Sequence, residues 1–168
     1  MQAFTSANTS VNRSKLPAVY RRATFPSRMV MDYGCGKYID HIREHVLSMH
    51  KTYLPYDPFN QPKEENASTA TLVCNAMALH VPLDVVCSNV LNVIDSDGEV
   101  SRICHYIEEI VTATGGTAFV TVYEGDRSGI GRQTGKDSYQ RNTQLDDYLR
   151  FFHHPTIRNN MIIIKGGN

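Results

Sequence analysis

Residues 29–42, MVMDYGCGKYIDHI, constrain the fold more than any other stretch of the chain. Three apolar residues run into Asp32; Gly34 and Gly36 follow, one residue apart. The chain then adopts a helical rhythm, with Ile39, Ile42, Val46 and Met49 on one side and Asp40, Arg43 and Glu44 on the other. The pattern predicts a short buried strand over 28–33 and an amphipathic helix over 38–50. A strand that turns so quickly into a helix needs backbone free of Cβ clashes, which glycine supplies. The helix is expected to start near Gly36 or Lys37, so that its unpaired N–H groups face an anion held at the turn. A plain tight turn explains the same two glycines.

The chain shows no internal repeat, but helices and strands alternate along the rest of it. A short helix is expected over 13–23, with Ser14 as its cap, because Pro17 is tolerated only in a first turn. KTYLPYD, 51–57, reads as a second strand, and Pro55 argues for a sheet edge or a late position in the strand. FNQPKEENAS reads as a loop. Residues 69–80 are helix capped by Ser68, or a helix and strand in one apolar run; the helix is preferred. LDVVCSN, 83–89, is a strand with a β-branched centre, and VLNVIDSD a turn. Asp97 is expected to cap a long helix over 98–113 that buries Val100, Ile103, Cys104, Ile107, Ile110 and Val111, and Gly115-Gly116 to end it. TAFVTVYE, 117–124, is the next strand, and a glycine-rich loop spans 125–138. Residues 143–152 suit a helix. TIRNNMIIIKG closes the chain as a hairpin turning at Asn159-Asn160. This order indicates an α/β fold: a single Rossmann-like open sheet, mostly parallel, with a C-terminal antiparallel hairpin. The length of 168 residues suits one domain over 13–168, preceded by a polar, flexible N-terminal arm over 1–12.

Charge excludes some partners and suggests others. The formal net charge is zero, so no global field draws the chain to nucleic acid or to an anionic membrane. No run approaches the ~18 apolar residues of a membrane span. Residues 1–31 nevertheless carry Arg13, Lys15, Arg21, Arg22 and Arg28 and no acid. A solvated arm and surface helix account for this; a polyanion contact through residues 13–28 is the functional alternative, and an organelle transit peptide, disfavoured by the structural look of KLPAVYRRA, is the third. Cys35, Cys74, Cys87 and Cys104 have no C-x-x-C spacing and read as buried thiols of a reducing, cytoplasmic protein. His41 and His45 stand at i,i+4, but without a third ligand nearby they read as a wet helix face.

Open α/β sheets bind ligands beyond the carboxyl ends of their strands, which directs attention to the loops after Asp32, Asp57, Ser88 and Glu124. The dinucleotide fingerprint fails at Ile39, where its third glycine would stand, and no phosphate loop is present. Asp57 ends the second strand as Asp32 ends the first. Its two oxygens suit the two hydroxyls of a ribose; an Asp-Pro turn capped by its own carboxylate is the alternative.

VMDYGCGK, the YLPYDPF that follows and LDVVCSNVLNVI together resemble the small class I S-adenosylmethionine-dependent methyltransferases, among them those of phages and of bacterial DNA-modification neighbourhoods. The likeness covers roughly 28–125, and YEGDRSGIGRQTGKDSYQRN also looks phage-like. The resemblance implies that Asp32, Gly34 and Gly36 line the methionine end of S-adenosylmethionine and that Asp57 holds its ribose. Ser88, Asn89 and Val90 would border the cofactor and the transfer path, and S-adenosylhomocysteine would be the product. It implies an enzyme, in a host cytoplasm if phage-encoded. The adenine contact is not identifiable; Asn75, inside an apolar run, is a poor candidate.

Methyl transfer from a sulfonium is an in-line displacement in which alignment supplies much of the rate, so no triad is required. Asn89, Glu124 and Tyr139 are the candidate catalytic residues; Tyr123, Gln140 and Arg141 are candidate substrate or lid contacts, with glycines 125, 129, 131 and 135 letting the lid move, and an ordinary mobile surface loop is the alternative. Ser88-Asn89-Val90-Leu91 lacks the prolines and aromatic of amino-methylating enzymes on DNA bases. Cys87 lacks the preceding proline of cytosine-C5 enzymes. The acceptor stays open among a small molecule, a protein side chain and an RNA. A non-catalytic protein of the same fold, binding the cofactor or a partner in regulation or host interference, is the alternative.

Overall fold

The computed structural model describes residues 15–135 and 138–167. The expected arm over 1–12 and the cap at Ser14 lie outside them. Six strands form one sheet in the order β2-β1-β3-β4-β8-β7, comprising β1 (Met29–Tyr33), β2 (Thr52–Tyr56), β3 (Leu83–Ser88), β4 (Thr117–Thr121), β7 (Thr156–Arg158) and β8 (Met161–Lys165). The first four run parallel; β8 is antiparallel to β4, and β7 to β8. A separate pair, β5 (Arg132–Gly135) and β6 (Ser138–Gln140), lies over the loops.

Alternation along the strands divides the core between two faces. Val30, Tyr53, Val86, Phe119 and Met161 meet α1 (Ala18–Arg22) and α2 (Asp40–Ser48). Met31, Leu54, Val85, Cys87, Val120 and Ile162 meet α3 (Lys63–Ala78) and α4 (Asp97–Thr114). The crossover from β1 to β2 moves one way along the sheet and that from β2 to β3 the other. Right-handed crossovers in opposite directions put their helices on opposite faces. The reversal falls between β1 and β3, where an open sheet leaves a crevice.

Several expectations hold. Pro55 does lie in an edge strand, β2. All six apolar positions predicted for α4 are buried. The terminal hairpin turns at Asn159 and Asn160, whose φ values of 52° and 57° suit a tight two-residue hairpin turn. Among the described residues no helix is long and apolar enough to cross a membrane.

Others are corrected. Of the described part of the expected helix 13–23, residues 15–23, only Ala18–Arg22 is helical, with Pro17 at the cap position. The helix after the glycine turn starts at Asp40, not Gly36 or Lys37, so its amino end stands back from the turn. The expected loop 59–68 is mostly helix: α3 begins at Lys63 after Pro62, not after Ser68, because the polar KEENAS run forms its first turns. That makes 69–78 helix, with the chain turning at Leu79 and His80. Ser96, not Asp97, caps α4, accepting a hydrogen bond from the Glu99 amide. Strand β4 stops at Thr121. The loop 125–138 contains β5, and 143–152 holds a 3-10 helix, Leu145–Phe151. Cys87 and Cys104 are buried, but Cys74 is exposed on α3 and Cys35 only half-buried.

Candidate functional site

The β1–β3 reversal brings together the glycine turn, Asp32, Asp57 and Ser88–Val90. Gly34 and Gly36 take left-handed φ values of 75° and 73°, which L side chains rarely adopt. A Cβ on Gly34 would also collide with the Val90 side chain. The turn is tied to the end of β2: the Gly34 amide donates to the Tyr56 carbonyl at 2.7 Å, and the Gln61 side-chain amide to the Gly36 carbonyl at 2.6 Å. The two glycines therefore serve the turn's own geometry and the close approach of Val90.

Asp32 lies beneath this turn, 3% exposed, on the α1–α2 side of the sheet. The Tyr53 hydroxyl donates to its Oδ2 at 2.8 Å. Burial raises its pKa to about 6. The Tyr53 hydrogen bond and the nearby Tyr20 hydroxyl oppose that rise, and the Asp57 carboxylate adds to it.

Asp57 is 6% exposed, and both its oxygens are engaged by the protein. Oδ1 accepts from the amides of Phe59 and Asn60, at 2.9 and 3.0 Å. Oδ2 accepts from the Gly36 amide and from Asn60 Nδ2, both at 3.0 Å. Asn66 brackets the same residue, accepting from its amide and donating to its carbonyl. The capped Asp-Pro turn foreseen as the alternative is present, and the same carboxylate reaches across to the glycine turn.

Ser88, Asn89 and Val90 leave β3 on the other side of the crevice. Ser88 Oγ accepts from Thr121 Oγ1 at 3.0 Å. Asn89 is exposed, with φ 59°, and its amide donates to the Thr121 carbonyl. Val90 leans over Gly34, and a 3-10 turn, Leu91–Val93, carries the chain onward.

The candidate lid is pinned rather than loose. Glu124 accepts from the Leu145 amide at 2.7 Å and pairs with Arg127 at 2.6 Å. Gln140 is buried, donating to the Tyr123 carbonyl and accepting from Asn92. Arg141 holds the carbonyls of Ile94 and Asp95 and the Asp97 carboxylate. Tyr139 is half-buried, with its hydroxyl against Gly131. Only Tyr123 of this group is well exposed, at 63%. Glu124, Gln140 and Arg141 therefore fasten the loop, each by contacts within the protein.

Two features escaped the sequence reading. Tyr33 and Tyr56, in register on β1 and β2, hold their rings 5.3 Å apart, and Tyr106 of α4 stands 6.0 Å from Tyr33. Burial pushes the Tyr33 hydroxyl well up. A tyrosine at the end of each strand was the available signal. Asn92, 2% exposed, is the hub of the loops, accepting from the amides of Tyr123 and Arg141 and donating to Gln140; a lone asparagine in VLNVI gave no such signal. Asn75, dismissed for lying in an apolar run, is exposed on α3. His45 lies on the half-buried side of α2, with Nε2 3.3 Å from the Tyr20 carbonyl. No family model, curated protein or solved structure matches the chain.

Proposed function

We propose that the chain binds S-adenosylmethionine in this crevice and transfers its methyl group by in-line displacement, as a class I methyltransferase-like protein. The observation that carries the reading is the convergence, at the strand-order reversal, of the Gly34–Gly36 turn, the Asp57 carboxylate and Ser88–Val90. An open sheet presents ligands there. The flat rings of Tyr33 and Tyr56 add an aromatic surface of the kind a purine stacks on. For a ribose to reach Asp57, Asn60 Nδ2 and the Gly36 amide release Oδ2, while the Phe59 and Asn60 amides keep Oδ1. The acceptor belongs to the small-molecule, protein or RNA classes.

A second reading has its own support. Glu124, the candidate base, is engaged by the Leu145 amide and Arg127, which favours a cofactor-binding protein of the same fold that does no chemistry. Calorimetry with S-adenosylmethionine and S-adenosylhomocysteine tests what the two readings share. Binding is expected, weakened about tenfold or more in Asp57→Asn, where a charge-assisted bond to the sugar becomes a neutral one. Equal affinity for NAD, or none for either sulfur compound, would defeat both readings. Transfer of tritium from labelled cofactor into any extract fraction separates enzyme from binder.

A further inference from the structure

On the α1 face of β4 and β8 runs an open groove of about 270 Å³ that shares no lining residue with the crevice. Arg22 at the end of α1, Arg158 at the end of β7 and Lys165 at the end of β8 rim it, and no acid is among its lining residues. None of the three cations forms a salt bridge within the described residues. All three are exposed. The floor is apolar, formed by Phe119, Met161 and Ile163, and Phe119 is fixed edge-on against Phe25 with ring centroids 5.3 Å apart.

The chain's 17 basic and 17 acidic residues balance to zero, so three cations along one groove, Arg158 beside Met161 and Lys165 at the far end of β8, none of them ion-paired among the described residues, are a local concentration rather than the edge of a general field. We infer that this groove is a binding site for a small organic phosphate monoester. The head group sits among Arg22, Arg158 and Lys165 and the apolar body lies on Phe119, Met161 and Ile163. The charge argues for phosphate over carboxylate. A monoester carries about −1.5 to −2 at neutral pH and offers three acceptor oxygens, whereas a carboxylate leaves most of the positive charge uncompensated. Arginine forks match phosphate geometry, and lysine adds a point charge. The floor argues against inorganic phosphate, which has nothing to place there. The volume, just below the ~300–1,000 Å³ usual for ligand pockets, argues for a monomer over a polymer.

Titration of the full-length protein with 1-naphthyl phosphate tests this, with 1-naphthoate, inorganic phosphate and a single-stranded RNA oligonucleotide as the other arms. Saturable binding of naphthyl phosphate is expected, with naphthoate and inorganic phosphate each about tenfold weaker or more. Arg158→Ala and Lys165→Ala each weaken it about tenfold, and Arg158→Glu abolishes it, with circular dichroism unchanged. Overturning results are absence of saturable binding, affinity indifferent to Arg158→Ala and Arg158→Glu, or naphthoate or inorganic phosphate binding equally well. RNA that binds more tightly than naphthyl phosphate, with a steep salt dependence, also overturns it in favour of a polymeric polyanion.

Discussion

The crevice and the groove are opposites in their polar bookkeeping. In the crevice, Asp32, Asp57 and the glycine turn are joined to neighbouring tyrosines, amides and side chains. In the groove, Arg22, Arg158 and Lys165 stand around an apolar floor with no carboxylate among the lining residues. The first arrangement stabilises the fold as it stands, and a ligand there must exchange bonds with the protein. The second contributes no ion pair among the described residues, and a ligand there only gains them. The contrast predicts that crevice substitutions act first on stability and groove substitutions on binding alone.

The largest effect is expected at Gly34. An alanine there meets two costs together: a left-handed φ of 75° that disfavours any Cβ, and a collision with Val90. Strain of about 1 kcal/mol and overpacking of about 1–3 kcal/mol suggest a total of about 2–4 kcal/mol. Gly129, with φ 73° but open space around it, separates the two. Gly129→Ala carries only the backbone cost, about 1 kcal/mol. Urea unfolding of both variants measures the difference. Equal losses would mean that Val90 moves aside readily and that the crevice is looser than its contacts suggest.

Next comes the buried Asp32. Its folded-state pKa of about 6 lies above the ordinary carboxylate value of 3.8. The folded protein therefore holds the proton more tightly than the unfolded chain does. That contribution is fully present below about pH 4 and is lost as pH rises to about 6. The shift corresponds to roughly 3 kcal/mol. Asp32→Asn keeps an oxygen to accept from the Tyr53 hydroxyl and removes the titration. Unfolding free energies measured at steps from about pH 4 to 7 should fall more steeply for the wild type than for the variant. Parallel curves would show that Asp32 titrates as an ordinary solvent-exposed acid.

What the sequence disclosed follows the same division between local and distant causes. The β1 turn was readable because an apolar run, an acid and two glycines lie in one short stretch. The buried side of α4 and the Asn159-Asn160 hairpin were readable for the same reason. The start of α3 was hidden, since KEENAS is polar and mostly exposed and carries no apolar rhythm. Strand β5 was hidden because all four of its residues are exposed, leaving no alternation to see. Asp57 allowed two readings, and its bonds to Gly36 and Asn60 could not be chosen between without the fold. The groove was the least legible feature: residues 13–28 pointed to a basic surface, but Arg158 and Lys165 join Arg22 only because β8 inserts beside β4.

The smallest predicted effect tests that contrast most directly, by setting one arginine against another. Arg141 is nearly buried and tied to the carbonyls of Ile94 and Asp95 and to Asp97, closing the loop that leads into α4. Truncating it leaves those acceptors without their donor, and Arg141→Ala should lose about 2 kcal/mol. Arg158 is exposed, with no ion pair among the described residues. Arg158→Ala should stay within about 0.5 kcal/mol of the wild type, or become slightly more stable, because removing one of three neighbouring cations relieves repulsion. Denaturant midpoints for the two variants, at low and at moderate salt, settle the point. A loss at Arg158 comparable to that at Arg141 would mean that the guanidinium serves the terminal hairpin, and the groove would then lose its claim to a charge held in reserve for a ligand.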